Sequence, residues 1–222
     1  MTPRVLEYYP GLWSWGCSAT DVVRVADLDA EAERVNLAAA TVDIKKYLGS
    51  LNVQIRIEVT PRQHLVRLHE LSQKTNQFNL NLERFSEVEL AQLLEAPDYR
   101  IAAIDLRDRL SESGIIGLVV ARHEGETLIV RELAISCRAL GRRLEDLMVA
   151  ETLRALSVEL PARRIKFLYR TGPRNSPARD WLCRLVNQSL PPEGDVLAQD
   201  ALNRISSKDY PVAIEILNHE TK

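Results

Sequence analysis

The stretch LAISCRALGRRLEDL, residues 133–147, decides how the rest of the chain is interpreted. Its apolar beginning is typical of a buried strand, and its end is typical of an amphipathic helix. Between them, Gly141 has no Cβ and lets the backbone approach a ligand closely. The first turn of a helix leaves N–H groups without partners and carries a partial positive charge. The pattern therefore predicts a phosphate site, with Arg138, Arg142 and Arg143 as additional cations, although a glycine turn with solvated arginines has the same pattern.

Composition narrows the class of protein before any other motif is considered. The 222 residues are 45% hydrophobic and carry a net charge of −2, with basic and acidic residues interleaved. This balance gives no reason to expect nucleic acid as a partner. Cys17, Cys137 and Cys183 are far apart and form no metal-binding pattern with histidine, so we expect no metal and a reduced, cytoplasmic protein. No apolar run reaches the length of a membrane span, so we expect no membrane association.

The periodicity of apolar residues predicts alternating strands and helices. The predicted elements are a helix over 20–49, a strand over 53–59, a helix after Pro61, a helix from Ser86 to about Glu95, strands over 99–106, 114–122 and 127–136, a helix over 144–160, a strand over 164–169, a helix capped by Ser176, and a strand over 210–217. We expect 1–18 to be an aromatic-rich loop and 187–208 to be loop-like with some helix. Three consecutive strands followed by strand–helix–strand crossovers indicate a mixed α/β sheet.

The arginine–glycine turn and the element order resemble the GCN5-related N-acetyltransferases (GNAT), in which this turn holds the pyrophosphate of coenzyme A. Two blocks are also similar to FkbH-like proteins: 73–90, QKTNQFNLNLERFSEVEL, and 136–145, SCRALGRRLE. Those proteins join a HAD-type phosphatase half to a GNAT-like half. The resemblance implies a GNAT-like mixed sheet over 52–222, preceded by a loop and helical connector over 1–51.

The FkbH-like resemblance also implies a function. FkbH-like proteins move a glyceryl unit onto an acyl carrier protein for polyketide assembly. We therefore expect an acyltransferase-type domain that handles a thioester on an acyl carrier protein or on coenzyme A, with a separate HAD-type phosphatase as a possible partner. Asp27 and Asp29 imitate the phosphatase aspartates, but they lie inside a helical pattern and are interpreted as helix residues. A non-catalytic carrier-docking module and a small-molecule N-acetyltransferase are the alternatives.

The strand before the turn supplies the candidate catalytic residues. The GNAT resemblance makes Glu132 a candidate general base, whereas an ion pair with Arg131 or Arg122 is the structural alternative. Cys137 at the start of the turn is a candidate nucleophile, although isolated cysteines are most often small apolar residues. The backbone near Ile135 is expected to polarise a thioester carbonyl, and Asn175 to bind the cofactor arm.

Two further features bear on specificity. The amide-rich group Asn76, Gln77, Phe78 and Asn79 is expected to bind a polar substrate, or else to be a loop with Asx turns. Trp181 lies where GNAT enzymes often carry a tyrosine acid, and Arg143 replaces a small residue of the family's loop. Both departures favour the docking alternative. Tyr169 and Tyr210 are candidate substitutes for the missing tyrosine.

Overall fold

The computed structural model describes residues 19–40 and 43–218. The predicted alternation of strands and helices is present along these ranges. In chain order the elements are α1 (Ala19–Ala40), α2 (Ile44–Leu51), β1 (Gln54–Val59), α3 (Leu65–Lys74), β2 (Phe78–Asn79), α4 (Glu87–Glu95), β3 (Tyr99–Arg107), β4 (Glu112–Glu124), β5 (Thr127–Ile135), α5 (Glu145–Glu159), β6 (Arg164–Arg170), α6 (Ser176–Val186), β7 (Glu193–Leu197), α7 (Gln199–Asn203) and β8 (Ala213–Asn218).

Local sequence signals explain several of the element boundaries. Ser86 begins α4 with a capping box, in which its hydroxyl accepts the Glu89 N–H and the Glu89 carboxylate accepts the Ser86 N–H. Helix α2 ends at Asn52, which adopts the left-handed conformation that closes many helices. Pro177 lies in the first turn of α6, where its missing N–H has no partner to lose.

The strands form one mixed sheet with the order β7-β6-β5-β4-β3-β1-β8. Strand β8 is parallel to β1 and β6 is parallel to β5, while the other neighbours along this order are antiparallel. The predicted order of one strand, two helices, three strands, helix, strand, helix and strand is confirmed. The chain is therefore GNAT-like in its element order, and β2, β7 and α7 are additions to the predicted order.

Helices cover both faces of the sheet. Along β3, Ala102 and Ile104 point into the core shared with α2, α5 and α6, whereas Ile101 and Ala103 point into the core shared with α3 and α4. This alternation is expected of a strand that is buried on both faces.

One irregularity of the sheet leaves an opening beside strand β5. Strand β6 pairs with β5 only between Thr127 and Val130, and the two strands then diverge. The short strand β2 pairs with the end of β5, with Phe78 opposite Ile135 and Asn79 opposite Ala134. The chain therefore closes the opening between β5 and β6 with its own residues.

Four predictions about elements need correction or lie outside the described residues. The predicted helix over 20–49 is two helices, and the second continues past Gly49 to Leu51. The region 187–208 contains β7 as well as α7, a strand that its polar sequence hides. Asn175 rather than Ser176 occupies the cap position of α6, without a side-chain cap bond. The predicted loop over 1–18 lies outside the described residues.

Candidate functional site

The arginine–glycine turn connects β5 to α5 through a short 3-10 helix, Cys137–Ala139. Gly141 has φ +82° and Arg143 has φ +58°, both in the left-handed region. Glycine adopts this region without strain, which explains its place in the turn. The Gly141 N–H donates to the Glu145 carboxylate, 3.2 Å away. One backbone donor predicted to hold phosphate is therefore bonded to an acid of the same chain.

Seven side chains form a buried ion cluster between this turn and helix α1. They are Asp27, Arg34, Asp108, Ser111, Ser113, Arg138 and Arg142. The Asp27 carboxylate accepts the hydroxyls of Ser111 and Ser113 at 2.6 and 2.7 Å, and it lies 3.4 Å from Arg138. These contacts join the N-terminal helix to the turn.

Asp108 is the other acid of the buried ion cluster. One carboxylate oxygen accepts Arg34 Nε at 3.0 Å and Arg142 Nη1 at 2.9 Å, and the other accepts the N–H groups of Leu110 and Ser111. Burial alone would raise the pKa of Asp108. Hydrogen bonding from Arg34 and the charge of Arg142 instead hold that pKa below its ordinary value.

The buried ion cluster changes the interpretation of two predicted phosphate ligands. The side chains of Arg138 and Arg142 are only 10% and 1% exposed. Both face the cluster rather than the surface of the turn, because Asp27 and Asp108 compensate their charge there. A ligand phosphate would have to compete with these carboxylates. Arg143, by contrast, is exposed.

A groove of about 620 Å³ lies between the turn, α2, α6 and the connection after α7. Three acids line it, and all three have partners. Glu145 is bonded within the turn, Asp146 accepts the Trp181 Nε1–H at 2.7 Å, and Asp209 lies 3.8 Å from Lys45. The acidic lining is therefore largely occupied by internal contacts.

Three arginines of the same groove have no such partners in the described part of the chain. Arg143 comes from the turn, Arg184 from α6 and Arg204 from the residue after α7. Within 19–40 and 43–218 their guanidinium groups make no hydrogen bond or ion pair. Planar guanidinium groups bind phosphate oxygens through paired hydrogen bonds. The groove can therefore bind a phosphate ester.

Glu132 is fully buried on the opposite side of β5. Its carboxylate accepts the N–H groups of Asn81, Glu83 and Leu133 at 3.1, 2.5 and 2.8 Å. Burial raises its pKa from 4.5 to about 7, more than these hydrogen bonds lower it. The alternative ion pair with Arg131 is not formed, because Arg131 bonds to Glu83 and Tyr99 instead.

We expect Glu132 to make stability depend on pH. The folded protein keeps a proton that the unfolded chain releases between pH 4.5 and about 7, so the free energy of unfolding falls as pH rises through this window. In the Glu132→Gln variant the decrease in the free energy of unfolding over this pH window should be smaller by about 3 kcal/mol, because each pKa unit corresponds to about 1.4 kcal/mol. Urea unfolding at pH 4.5 and pH 8 measures it. Equal pH dependence in both proteins would contradict the prediction.

The groups predicted to bind a cofactor arm are engaged by β2 and the residues around it. Ile135 is paired with Phe78. The Asn175 amide donates to the carbonyls of Asn79 and Arg170, at 2.9 and 2.8 Å. Phe78 and Asn79 are themselves buried, so they form part of the core rather than a surface for substrate.

Most of the remaining predicted residues lie near the surface. Asn76 and Gln77 are exposed, and the side-chain oxygen Oδ1 of Asn76 accepts a hydrogen bond from Arg84. Cys137 is an exposed free thiol at the turn. Tyr210 lines the groove, and its pKa is raised by burial and by Asp146, whereas Tyr169 is buried.

Sequence analysis did not find several residues of the site. Arg34 lies seven residues after Asp27, two helical turns along the same face of α1, and this spacing was the available signal. Asp108 and Leu110 have the spacing of an Asx turn, in which the side chain accepts the N–H two residues further along the chain. Arg184 and Arg204 carry no local signal, because only the fold brings them together.

Comparison with known proteins gives structural similarity only. No family model and no curated protein matches this sequence. A diaminobutyrate acetyltransferase from Paenibacillus lautus superposes with a TM-score of 0.47 and 16% identity, over 70% of this chain and 99% of the other. A spermidine N-acetyltransferase mutant from Vibrio cholerae gives 0.46 and 14%, over 68% and 98%.

Two kinds of feature are absent from the described residues. Across 19–40 and 43–218, no three or more histidine, cysteine or acidic side chains are grouped as a metal site would require. In the same ranges, every helix is too short or too polar to cross a bilayer.

Proposed function

We propose that this chain is an acyltransferase-type domain that binds a phosphate-bearing thioester carrier. The carrier is the phosphopantetheine arm of an acyl carrier protein, or coenzyme A. The groove supports this most directly, because Arg143, Arg184 and Arg204 line it from three elements and have no acceptor among the residues that the structure describes. A phosphodiester or diphosphate supplies the oxygens that these guanidinium groups lack.

The FkbH-like blocks support the finer assignment. They favour an acyl carrier protein as partner, polyketide-type secondary metabolism as the setting, and a separate HAD-type phosphatase acting with this domain in the cytoplasm. In this proposal Cys137 is the candidate acyl acceptor, because its thiol is exposed beside the turn. Glu132 is the candidate base.

The two ends of such a carrier fit this chain differently. The phosphate end fits the groove. The arm does not fit along β5, because Ile135 and Asn175 are already engaged by Phe78 and Asn79. We therefore derive no transfer step along that route.

The filled edge of β5 favours a second candidate function, a non-catalytic module that docks the carrier protein. Arg143 in place of a small residue points the same way. Both candidates predict binding of the carrier, and they differ in turnover. A docking module transfers no acyl group from any thioester.

Calorimetric titration with phosphopantetheinylated acyl carrier protein and with coenzyme A tests the proposal. We expect the double change Arg184→Gln and Arg204→Gln to weaken binding at least tenfold, because each charge-assisted hydrogen bond contributes about 1.5–3 kcal/mol and about 1.4 kcal/mol is tenfold. Arg163→Gln is the matched control, since this exposed arginine lies outside the groove. Binding that is unaffected by the double change would overturn the assignment of the groove.

A further inference from the structure

We propose that residues 77–82 are an internal occupant of the arm site, which must withdraw from β5 before a pantetheine arm can bind there. This inference rests on the proposed function. It identifies the internal occupant, defined as residues 77–82, as a built-in competitor of the arm.

The main-chain contacts of the internal occupant carry the inference. Beyond Val130, strand β5 is not paired with β6, and a strand edge of this kind offers N–H and C=O groups to any extended chain. The internal occupant takes these groups through the pairing of β2. Leu80 then bridges the opening, with its N–H donating to the Leu133 carbonyl and its carbonyl accepting the Arg170 N–H, both at 3.0 Å.

The chemistry of a pantetheine arm matches what these contacts require. The arm is extended and contains two amide groups, so it can add to a strand edge as a peptide does. The side chain of Asn175 is likewise occupied by the internal occupant, so an arm would have to compete for it. Its amide nitrogen donates to the Asn79 carbonyl, and its oxygen accepts the Gly172 N–H at 2.8 Å. An arm can use this side chain only after Asn79 has moved.

The internal occupant also covers the candidate base. Two of the three N–H groups bonded to Glu132 belong to Asn81, within the internal occupant, and to Glu83, the residue that follows it. Withdrawal would open the edge of β5 and uncover this carboxylate in one movement. Binding of the arm and access to Glu132 are thereby coupled.

The internal occupant has the character of a loop, although Phe78, Asn79 and Leu80 are buried. It belongs to the connection between α3 and α4, and of its six residues only Phe78 and Asn79 are strand residues. Gln77 is exposed, and Leu82 adopts φ +60°, a strained value for leucine that is fixed by its N–H bond to the Asn79 side chain at 2.6 Å. Connections of this kind open more readily than the sheet around them.

Hydrogen exchange on the unmodified chain is the first test. We expect the N–H groups of Leu80, Asn81 and Glu83 to exchange slowly in the free protein. Saturation with coenzyme A or with phosphopantetheinylated carrier protein should speed their exchange at least tenfold. Bound carrier with unchanged exchange at these three amides would overturn the inference.

Loosening the internal occupant is the second test. Asn79→Ala removes the acceptor of the Leu82 N–H and leaves β5 and Asn175 unaltered. We expect coenzyme A to bind this variant at least fivefold more tightly, whereas the control Asn36→Ala, at an exposed position of α1, should bind as the unmodified chain does. Equal or weaker binding by a folded Asn79→Ala protein would contradict the inference.

The outcomes separate the inference from the proposed function. Binding that depends on Arg184 and Arg204 but leaves exchange unchanged overturns the internal occupant alone. Binding that is independent of these arginines but speeds exchange overturns the groove alone. If neither carrier binds the unmodified chain or Asn79→Ala, both proposals fail.

Discussion

Asp108→Ala is expected to lower the free energy of unfolding by about 3–5 kcal/mol, the range found when one member of a buried ion pair is removed. The Asp108 side chain has no exposure to solvent, and it balances Arg34 and Arg142, which are 2% and 1% exposed. Its loss would leave three buried guanidinium groups with Asp27 as the remaining acid of the buried ion cluster. Two backbone N–H groups would also lose their acceptor.

Urea unfolding at pH 7, followed by circular dichroism, measures the effect of Asp108→Ala. Asp98→Ala is the matched control, because Asp98 also pairs with an arginine, Arg122, but both side chains are 43% exposed. Solvent screens such a pair, so we expect a loss of about 0–1 kcal/mol. Similar losses in the two variants would show that the buried ion cluster contributes little to stability.

Trp181→Ala is expected to cost about 3–5 kcal/mol, as is typical for truncation of a buried tryptophan. Trp181 is 2% exposed and packs between two aromatic rings, with centroid distances of 5.5 Å to Phe78 and 5.9 Å to Phe167. Truncation would leave a cavity between α6 and β2. It would also remove the donor that holds Asp146 at the groove.

Trp181→Phe separates packing from hydrogen bonding. It retains a ring against Phe78 but loses the Nε1–H donor, so we expect a smaller loss of about 1–2 kcal/mol. The unfolding free energies of the two variants, measured under the same conditions, test this order. A loss for the phenylalanine variant as large as that for the alanine variant would mean that the bond to Asp146, rather than packing, dominates.

The periodic segments of the fold could be predicted from the sequence, because their apolar residues recur at strand or helix spacing. Helix α4 shows this well, since the capping signal of Ser86 and Glu89 is contained in four residues. Strand β7 could not be found in this way. Only Val196 of its five residues is buried, so an edge strand of this kind resembles a polar loop in sequence.

Some residues of the candidate site could likewise be predicted from local sequence, whereas others could not. Gly141 and Arg143 could be placed at a turn because strand, glycine and helix follow one another. The direction of Arg138 and Arg142 depends on Asp27, more than a hundred residues earlier in the chain, and local spacing does not contain such information. Phe78 and Asn79 were expected to contact substrate, and their pairing with β5 is likewise a long-range property.

The buried ion cluster also affects where this protein can be divided. A chain that began at residue 52 would retain every strand of the sheet, including β8, which pairs with β1. It would nevertheless lack Asp27 and Arg34. Asp108 would then be the remaining acid of the cluster beside Arg138 and Arg142. The excess positive charge of these two arginines would be exposed to water. We therefore expect the unit that folds cooperatively to include α1, so that the recognisable sequence of the domain is shorter than the segment that unfolds as one.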